Sequence, residues 1–359
     1  MTPKTSQVYL SAELTTISNA GDPETKIITL SNGDITITIS SLGCTIVSLF
    51  TPDRGGKKNN IVAGFADLHD YQNNELYFGC IVGRYANRIA DGKFSVNDCQ
   101  YQLTLNDGQN HLHGGANGLH TKQWAVSSII RNKNEAGVVF EYYSKDGEEG
   151  YPGNLHIKVK YLLNDKNQFS IHYYSTTDKS TPINLTNHSY FNLTGFETSH
   201  VLDHVLQIHA PYYTPKNIHN IPCGAIEAVA DTPFDFTMRT LIGKCIHDLQ
   251  ADKGFDHNYV FANNHIGEVR LVAELNEPGS GRMLKVFTDK PAMQLYTANF
   301  WNGKITGQQG VPYVIHGGVA LETQSYPDSP NQPNFPSTII QPGEDYRFTT
   351  IYEFGISNN

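Results

Sequence analysis

The stretch LHIKVKYLLNDKNQFSIHY, residues 155–173, alternates apolar and polar side chains on both sides of a polar tetrapeptide. Apolar residues occupy positions 155, 157, 159, 161 and 163 before the tetrapeptide, and positions 169, 171 and 173 after it. Because side chains two residues apart share a face of a β-strand, each half predicts a strand with one buried face. The tetrapeptide Asn164-Asp165-Lys166-Asn167 predicts the loop of an antiparallel hairpin, about four residues long.

The same two-residue period recurs along most of the chain, for example at positions 35–39, 101–105 and 269–275. Helical periodicity is scarce. Residues 239–250 predict a helix with one apolar stripe, formed by Leu241, Ile242, Cys245, Ile246 and Leu249, and residues 66–71 predict a shorter turn. Many short strands with few helices indicate an all-β sandwich or barrel rather than βαβ units. We expect one large antiparallel domain over residues 1–359, with strands from about 26 to 355.

Composition narrows the class of protein. The 359 residues are 39% hydrophobic and carry a formal charge of −9, which excludes a disordered chain and disfavours nucleic acid as a partner. The chain has neither a 20-residue apolar run nor the apolar core of a secretory signal near residue 1, so we expect no membrane partner and a cytoplasmic location. The five cysteines form no CxxC pair, which argues against a disulfide framework or a zinc site.

Two clusters carry candidate ligand-binding groups in the first third of the chain. GRYANRI, residues 83–89, places two arginines four residues apart, with forked donors suited to hydroxyls or carboxylates, although one of them could hold a structural ion pair. In NHLHGG, residues 110–115, His111 and His113 share a strand face and could both point at a ligand or a metal. The glycines that follow predict a close backbone approach or an unusual dihedral angle.

Two further clusters carry candidate proton-transfer groups. In TNHSYFNL, residues 186–193, His188 stands among polar and aromatic neighbours and suits a proton donor. Glu322 lies in the apolar strand GGVALETQ, where burial would raise its pKa and suit it to be a general base. A hydrogen-bonded strand histidine and a solvated edge-strand glutamate are the alternatives. Asp256 and Gln294 are weaker candidates when taken alone. The chain has no G-x-S-x-G motif, Walker loop or G-x-G-x-x-G motif.

Taken in order, these clusters resemble the aldose 1-epimerase (galactose mutarotase) family over residues 25–355. The resemblance rests on GRYANRIADGKF, NHLHGG, DGEEGYPG, INLTNHSYFNL, GFDHNYV and LETQSYPDSPNQPNFPS. It implies a large antiparallel β-supersandwich with few short helices. It also implies an enzyme that interconverts the α and β anomers of free hexoses such as D-galactose and D-glucose without a cofactor or a metal, as a monomer or homodimer.

The resemblance also implies roles for individual residues. His188 matches the family's catalytic acid and Glu322 its catalytic base, whereas the substrate-binding positions correspond to Asn87, Arg88, His113, Asp256 and Gln294. His111 departs from the family pattern. Four alternatives stay open at this point: a hexose-6-phosphate epimerase, a sugar-binding module without catalysis, a metal-dependent enzyme using His111 and His113, and a glycoside hydrolase using Asp256 and Glu322.

The segment around His188 also contains three overlapping N-glycosylation patterns, at Asn184, Asn187 and Asn192. Glycans there would block a pocket formed by the same segment. We interpret the three patterns as coincidental.

Overall fold

A computed structural model describes residues 10–17, 24–262 and 267–357 of the chain. The named strands pair antiparallel, and the described helices are short 3₁₀ segments, which confirms the prediction of an all-β fold with few short helices. In spatial order, the largest sheet has nine strands: Ala125–Arg131, Glu135–Ser144, Leu155–Asn164, Gln168–Thr177, Tyr346–Ile356, Arg282–Thr288, Arg270–Asn276, Val205–Ile208 and Thr240–Leu241.

Two smaller sheets and several strand pairs complete the fold. One sheet has six strands: Tyr190–Phe191, Val319–Gln324, Ala292–Tyr296, Asp256–Val260, Tyr212–Thr214 and Glu227–Ala228. Another has five: Ser11–Ile17, Thr25–Ser31, Thr36–Ser40, Thr45–Pro52 and Lys58–Asn60. The pairs are Arg88–Ile89 with His111–Leu112, Ile81–Val82 with Thr186–Asn187, Thr181–Pro182 with Ile339–Ile340, Asn302–Thr306 with Pro312–Val314, and Lys93–Val96 with Cys99–Gln102.

Seven short 3₁₀ segments connect these strands in the described part of the chain. They are Leu68–Asn73, Ala90–Gly92, Leu119–Thr121, Glu148–Gly150, Ile242–Lys244, Ile246–Asp248 and Ser329–Asn331. The first overlaps the turn predicted at residues 66–71. Within the described ranges, the structure contains no helix long and apolar enough to cross a membrane.

The predicted hairpin forms two interior strands, the third and fourth in spatial order, of the nine-stranded sheet. One strand ends at Asn164 and the next begins at Gln168, so the loop has three residues, one fewer than predicted, and Asn167 adopts a left-handed conformation with φ of 59°. Asparagine tolerates this region better than most residues. The alternating residues of both strands are buried, and they join one continuous core with side chains from the five- and six-stranded sheets. Burial of each such side chain contributes roughly 1.5–3 kcal/mol, so the core can support a site with buried polar groups.

The helix predicted over residues 239–250 is wrong. The segment forms a short edge strand followed by two 3₁₀ turns, Ile242–Lys244 and Ile246–Asp248. The backbone N–H groups of Ile242 and Gly243 donate to the carbonyls of His204 and Leu202, which belong to a neighbouring segment. These long-range bonds use the donors with which a helix would continue. Ile242, Ile246 and Leu249 of the apolar stripe pack into the core without helical geometry, whereas Leu241 is exposed.

Candidate active site

A cavity of about 260 Å³ opens at one face of the six-stranded sheet. Its walls include all seven residues that the sequence singled out: Asn87, Arg88, His113, His188, Asp256, Gln294 and Glu322. These residues come from six separate parts of the chain. The structure therefore brings the predicted residues together in one pocket.

Strand register places three of the seven on one sheet face. Gln294 lies directly opposite Glu322, and Asn258 lies opposite Gln294 on its other side, so Asp256 is a diagonal neighbour of Gln294. Gln294 Nε2 donates to Asp256 Oδ1 at 2.6 Å. The Val319–Gln324 strand has partners on both sides, so Glu322 is a buried interior residue and not a solvated edge glutamate.

His188 lies between two short strands that pair with different partners. Its N–H donates to the carbonyl of Cys80 at 2.9 Å, and its own carbonyl accepts from Gly79 N–H at 3.0 Å. The Asn187 side chain also donates to the Gly79 carbonyl, at 2.8 Å. With the backbone held on both sides, the imidazole points toward the sheet, and its Nε2 is 3.4 Å from Glu322 Oε1.

The orientation of His113 is fixed by the backbone of Asn87. The two residues exchange a pair of hydrogen bonds, from His113 N–H to the Asn87 carbonyl at 3.0 Å and from Asn87 N–H to His113 Nδ1 at 3.1 Å. Both residues have positive φ, 52° and 62°. Because Nδ1 accepts, the neutral ring carries its hydrogen on Nε2, so His113 presents a donor to the pocket.

The glycines after His113 make this arrangement possible. A Cβ atom on Gly114, whose φ is +89°, would lie 1.7 Å from the carbonyl oxygen of Gly83. Only glycine permits that approach, which joins the GRYANR segment to the LHGG segment. The close backbone approach predicted from the paired glycines is confirmed.

The two arginines of the GRYANR segment have different functions. Arg88 lines the pocket and donates through Nε to Asp107 Oδ2 at 2.7 Å. Arg84 is buried, and it donates to the Ser144 hydroxyl and to the carbonyls of Ser144, Lys145, Pro152 and Gly153. The geometry therefore assigns Arg84 to the structure of the loop that carries DGEEGYPG.

Arg84→Met is expected to lower the free energy of unfolding by about 3 kcal/mol or more, because it leaves four buried carbonyls without their donor. Urea denaturation checks this value. The control is Arg347→Met, since the Arg347 side chain is 70% exposed and contacts Asp345 and the ring of Tyr174 at the surface; we expect a change of at most about 0.5 kcal/mol. Equal effects of the two substitutions would contradict the structural role of Arg84.

His111 does not reach the pocket. Its Nδ1 is 2.6 Å from the Thr104 carbonyl and its Nε2 is 2.7 Å from the Tyr151 hydroxyl, and the residue is fully buried. Since Nδ1 must donate to a carbonyl, Nε2 accepts from Tyr151. His111 is thus a structural residue, and the alternative of a metal site shared by His111 and His113 finds no support in this geometry.

The pocket does contain a compact group of possible ligand atoms. His113, His188 and Glu322 each place one such atom within 4.8 Å of the other two. The tautomer of His113 argues against a metal there, because its pocket-facing Nε2 carries the hydrogen and Nδ1 is occupied by Asn87 N–H. Coordination through Nε2 would break that bond or require an imidazolate. The group suits hydrogen bonding and proton transfer better.

Burial shifts the pKa values of the central pair in opposite directions. Burial raises the pKa of Glu322 well above its usual range, and the nearby Asp256 carboxylate adds to the rise. Burial also lowers the pKa of His188 to about 4. Both shifts favour the form in which the pair holds a single proton between two groups 3.4 Å apart. One oxygen of Glu322, Oε2, has no hydrogen-bond partner among the described residues.

Several pocket residues were not identified from the sequence. Tyr77, Asp107, Tyr190, Tyr296 and Phe300 also line the cavity. A signal for Tyr296 was available, since it follows Gln294 by two positions on one strand and so shares its face. Tyr77 gave no signal: it lies in an irregular loop at φ of 58°, with its ring 4.7 Å from that of His113 and 5.8 Å from that of His188.

The three N-glycosylation patterns lie inside the fold. Asn184, Asn187 and Asn192 are all at most 2% exposed, and their side-chain amides donate to backbone carbonyls. A glycan on any of them would have no space in the folded chain. This burial agrees with the interpretation of the patterns as coincidental.

Comparisons with known proteins agree with the site. The family model described as aldose 1-epimerase matches residues 26–353. The chain is 40% identical over 328 residues to galactose mutarotase of Bos taurus, covering 91% of this chain and 93% of that protein. It is 36% identical over 340 residues to aldose 1-epimerase of Escherichia coli (strain K12), covering 93% and 96%.

A solved structure adds to this likeness. Galactose 1-epimerase from Lactobacillus acidophilus NCFM superposes with a TM-score of 0.85 at 26% identity, covering 98% of this chain and 100% of that one. This neighbour supports the expected supersandwich. On the family model and the sequence relatives together, this chain belongs to the aldose 1-epimerase family.

Proposed function

We propose that this chain interconverts the α and β anomers of free hexoses such as D-galactose and D-glucose, with Glu322 as general base and His188 as general acid. The observation that carries the proposal is the pair itself: a buried carboxyl with one unpartnered oxygen, 3.4 Å from a buried imidazole. Both groups line a cavity of about 260 Å³, which is large enough for one pyranose.

The reaction needs one proton to leave the C1 hydroxyl and another to reach the ring oxygen O5. The reacting form of the pair is the one in which its single proton lies on His188 and Glu322 is ionised. Glu322 then takes the C1 hydroxyl proton while His188 gives its proton to O5, and the C1–O5 bond breaks. The open aldehyde rotates about C1–C2, the carbonyl presents its other face, and the two residues reverse their roles as the ring closes. Each positioned proton transfer contributes about 10²–10⁴-fold in rate. The count of protons on the pair stays at one throughout.

The remaining polar residues bind the other oxygens of the sugar. His113 donates from Nε2, and Arg88 and Asn87 offer further donors beside it. Asp256 and Gln294 form a linked acceptor and donor on the sheet. A site that pairs hydroxyl groups in this way rejects sugars that leave its own buried polar groups without partners.

Charge distinguishes this proposal from a hexose-6-phosphate epimerase. Four carboxylate residues line the cavity, Glu75, Asp107, Asp256 and Glu322, whereas Arg88 is its one arginine and already pairs with Asp107. A phosphate dianion would meet net repulsion there. Polarimetry on fresh α-D-galactose and on galactose 6-phosphate tests the proposal: we expect acceleration of the first and little of the second. Faster turnover of the phosphorylated sugar would favour the alternative.

The dependence of kcat/KM on pH is expected to follow the fraction of the enzyme in which the His188–Glu322 pair holds one proton. Below a pH of about 4 His188 holds a second proton while Glu322 is still protonated, so no base remains and kcat/KM falls. Above the raised pKa of Glu322 the pair loses its last proton, so no acid remains and kcat/KM falls again. Initial rates, corrected for the uncatalysed reaction at each pH, measure both limbs. A profile that rises steadily through pH 4–9 would contradict this assignment.

The cytoplasmic location and the monomeric or homodimeric state belong to the same proposal. All five cysteines are free, as suits a reducing compartment. Cell fractionation and light scattering of the purified chain test these two points.

A further inference from the structure

A buried ion network stands behind Asp256, outside the wall of the cavity. Lys216 lies just after the strand Tyr212–Thr214, and its side chain is only 10% exposed. Its Nζ is 3.6 Å from Asp256 Oδ2, and it donates to Asp252 Oδ1 at 3.1 Å and to Asn220 Oδ1 at 2.6 Å. The mechanism described above makes no use of this cation.

We propose that Lys216 is a positioning residue that orients the Asp256 carboxylate toward a sugar hydroxyl and offsets its charge beside Glu322. The proposal rests on the proposed function, because it assigns Asp256 to sugar binding. Asp256 engages Gln294 through Oδ1 and faces Lys216 through Oδ2. The carboxylate is therefore held from two sides, which leaves its remaining lone pairs for the cavity.

Asp256 and Glu322 place two carboxyl groups in one pocket, and each interacts electrostatically with the other. Groups that face Asp256 and Glu322 from the surrounding elements are Arg88, Cys80, His188, His257, Tyr190, Tyr296 and Tyr352. When Lys216 is counted with these groups, two of them are arginine or lysine: Arg88 and Lys216. Arg88 donates to Asp107. Lys216 is thus the cation that lies within 4 Å of the carboxylates of Asp256 and Asp252.

The shifts in pKa agree with this geometry. Burial alone would raise the pKa of Asp256, but Lys216, Arg88, His257 and the hydrogen bond from Gln294 together outweigh it, so the pKa of Asp256 is lowered. The pKa of Glu322 is raised by burial and by Asp256. With its counter-ion in place, Asp256 stays ionised as an acceptor, and Glu322 remains the carboxyl that exchanges a proton.

The loop around Lys216 gives it a fixed position. Lys216 forms an isolated bridge with Pro222, and Cys223 N–H donates to the Pro215 carbonyl. At the far side of the loop the His219 carbonyl accepts from the Asn110 side chain at 3.3 Å. Asn110 precedes the segment that carries His113, so this loop joins the two walls of the pocket.

The test compares Lys216→Met, Lys216→Gln and Lys216→Arg in the full chain, with galactose as the probe. We expect the methionine and glutamine variants to raise KM about tenfold while kcat changes less than about threefold. Because the charge of Asp256 is no longer offset, both limbs of the pH profile should move to higher pH, by at least about 0.5 unit. Lys216→Arg should restore KM and the profile to within about twofold of the unsubstituted protein.

A matched control is Lys179→Met, whose lysine is exposed and pairs with Asp146 far from the pocket; its KM and profile should not change. If the Lys216 variants only melt earlier, with KM and both limbs unchanged, the positioning role is overturned. Calorimetry of galactose binding to Glu322→Gln, with and without Lys216→Met, distinguishes failure of the role proposed for Lys216 from failure of the proposed function. Weaker binding in the double variant supports the role of Lys216 even if Glu322→Gln proves active, and equal binding overturns it.

Discussion

Replacing Glu322 by glutamine is expected to lower kcat for galactose mutarotation by about 10³-fold, with KM changed by less than about fivefold. Glutamine keeps the shape and the hydrogen-bonding oxygen of the side chain but cannot accept the C1 hydroxyl proton. Polarimetry or a coupled assay specific for the β anomer measures the rate. Glu141→Gln, on the outer face of the nine-stranded sheet, is the control and should leave kcat unchanged.

The same substitution should not destabilise the fold. The folded chain holds the Glu322 carboxyl at a raised pKa, so this group lowers the stability of the fold at pH values above its unfolded-state pKa, and a neutral glutamine removes that cost. We therefore expect a melting temperature no lower than that of the unsubstituted protein. Glu322→Ala leaves space for a small carboxylate, and added formate should restore part of the rate. Near-normal turnover by Glu322→Gln would remove Glu322 from the role of base.

Replacing His188 by asparagine is expected to lower kcat by about 10²–10⁴-fold. Asparagine can still hydrogen-bond to O5, but it has no proton to give at an accessible pKa, so the C1–O5 bond must break without an acid. His172→Asn, on the outer face of the large sheet, is the control and should keep full activity. Initial rates and circular dichroism of both variants check the effect against loss of fold.

A variant that carries both Glu322→Gln and His188→Asn tests whether the two residues act as a unit. Because one proton is shared by His188 and Glu322, removing either group disables the same transfer. The combined variant should therefore lose about as much rate as the worse single variant, rather than the product of the two losses. A loss of rate in the double variant equal to the product of the two single losses would indicate independent roles. An active His188→Asn variant would remove His188 from the role of acid.

Residues whose environment is local could be predicted from the sequence. The hairpin over residues 155–173 was predictable because its alternation, its polar loop and its partner strand are all contiguous. The paired glycines after His113 predicted a close backbone approach, which Gly114 makes to Gly83. The seven pocket residues were named through the family resemblance, and the strand pairings of Glu322, Gln294 and Asp256 give that grouping a physical basis.

Features set by long-range backbone contacts could not be predicted. The apolar stripe at residues 239–250 has helical spacing, yet the carbonyls of His204 and Leu202 take its donors. Arg88 lines the pocket and Arg84 binds loop carbonyls because their side chains contact different loops in the folded chain. The same holds for His111 and His113, whose ring nitrogens are bound by partners 7 and 26 residues away. Spacing alone carries no information on such partners.

Eukaryotic secretory cells are an unsuitable host for producing this chain. In such cells the asparagine of an Asn-X-Ser/Thr sequence is an acceptor for a bulky glycan whenever it is exposed, as it is before the chain has folded. A glycan attached then to Asn184, Asn187 or Asn192 would have to enter the interior during folding, since the native structure leaves each of them at most 2% exposed. Export with these asparagines unaltered would therefore yield misfolded glycoprotein, whereas synthesis in bacteria avoids the modification.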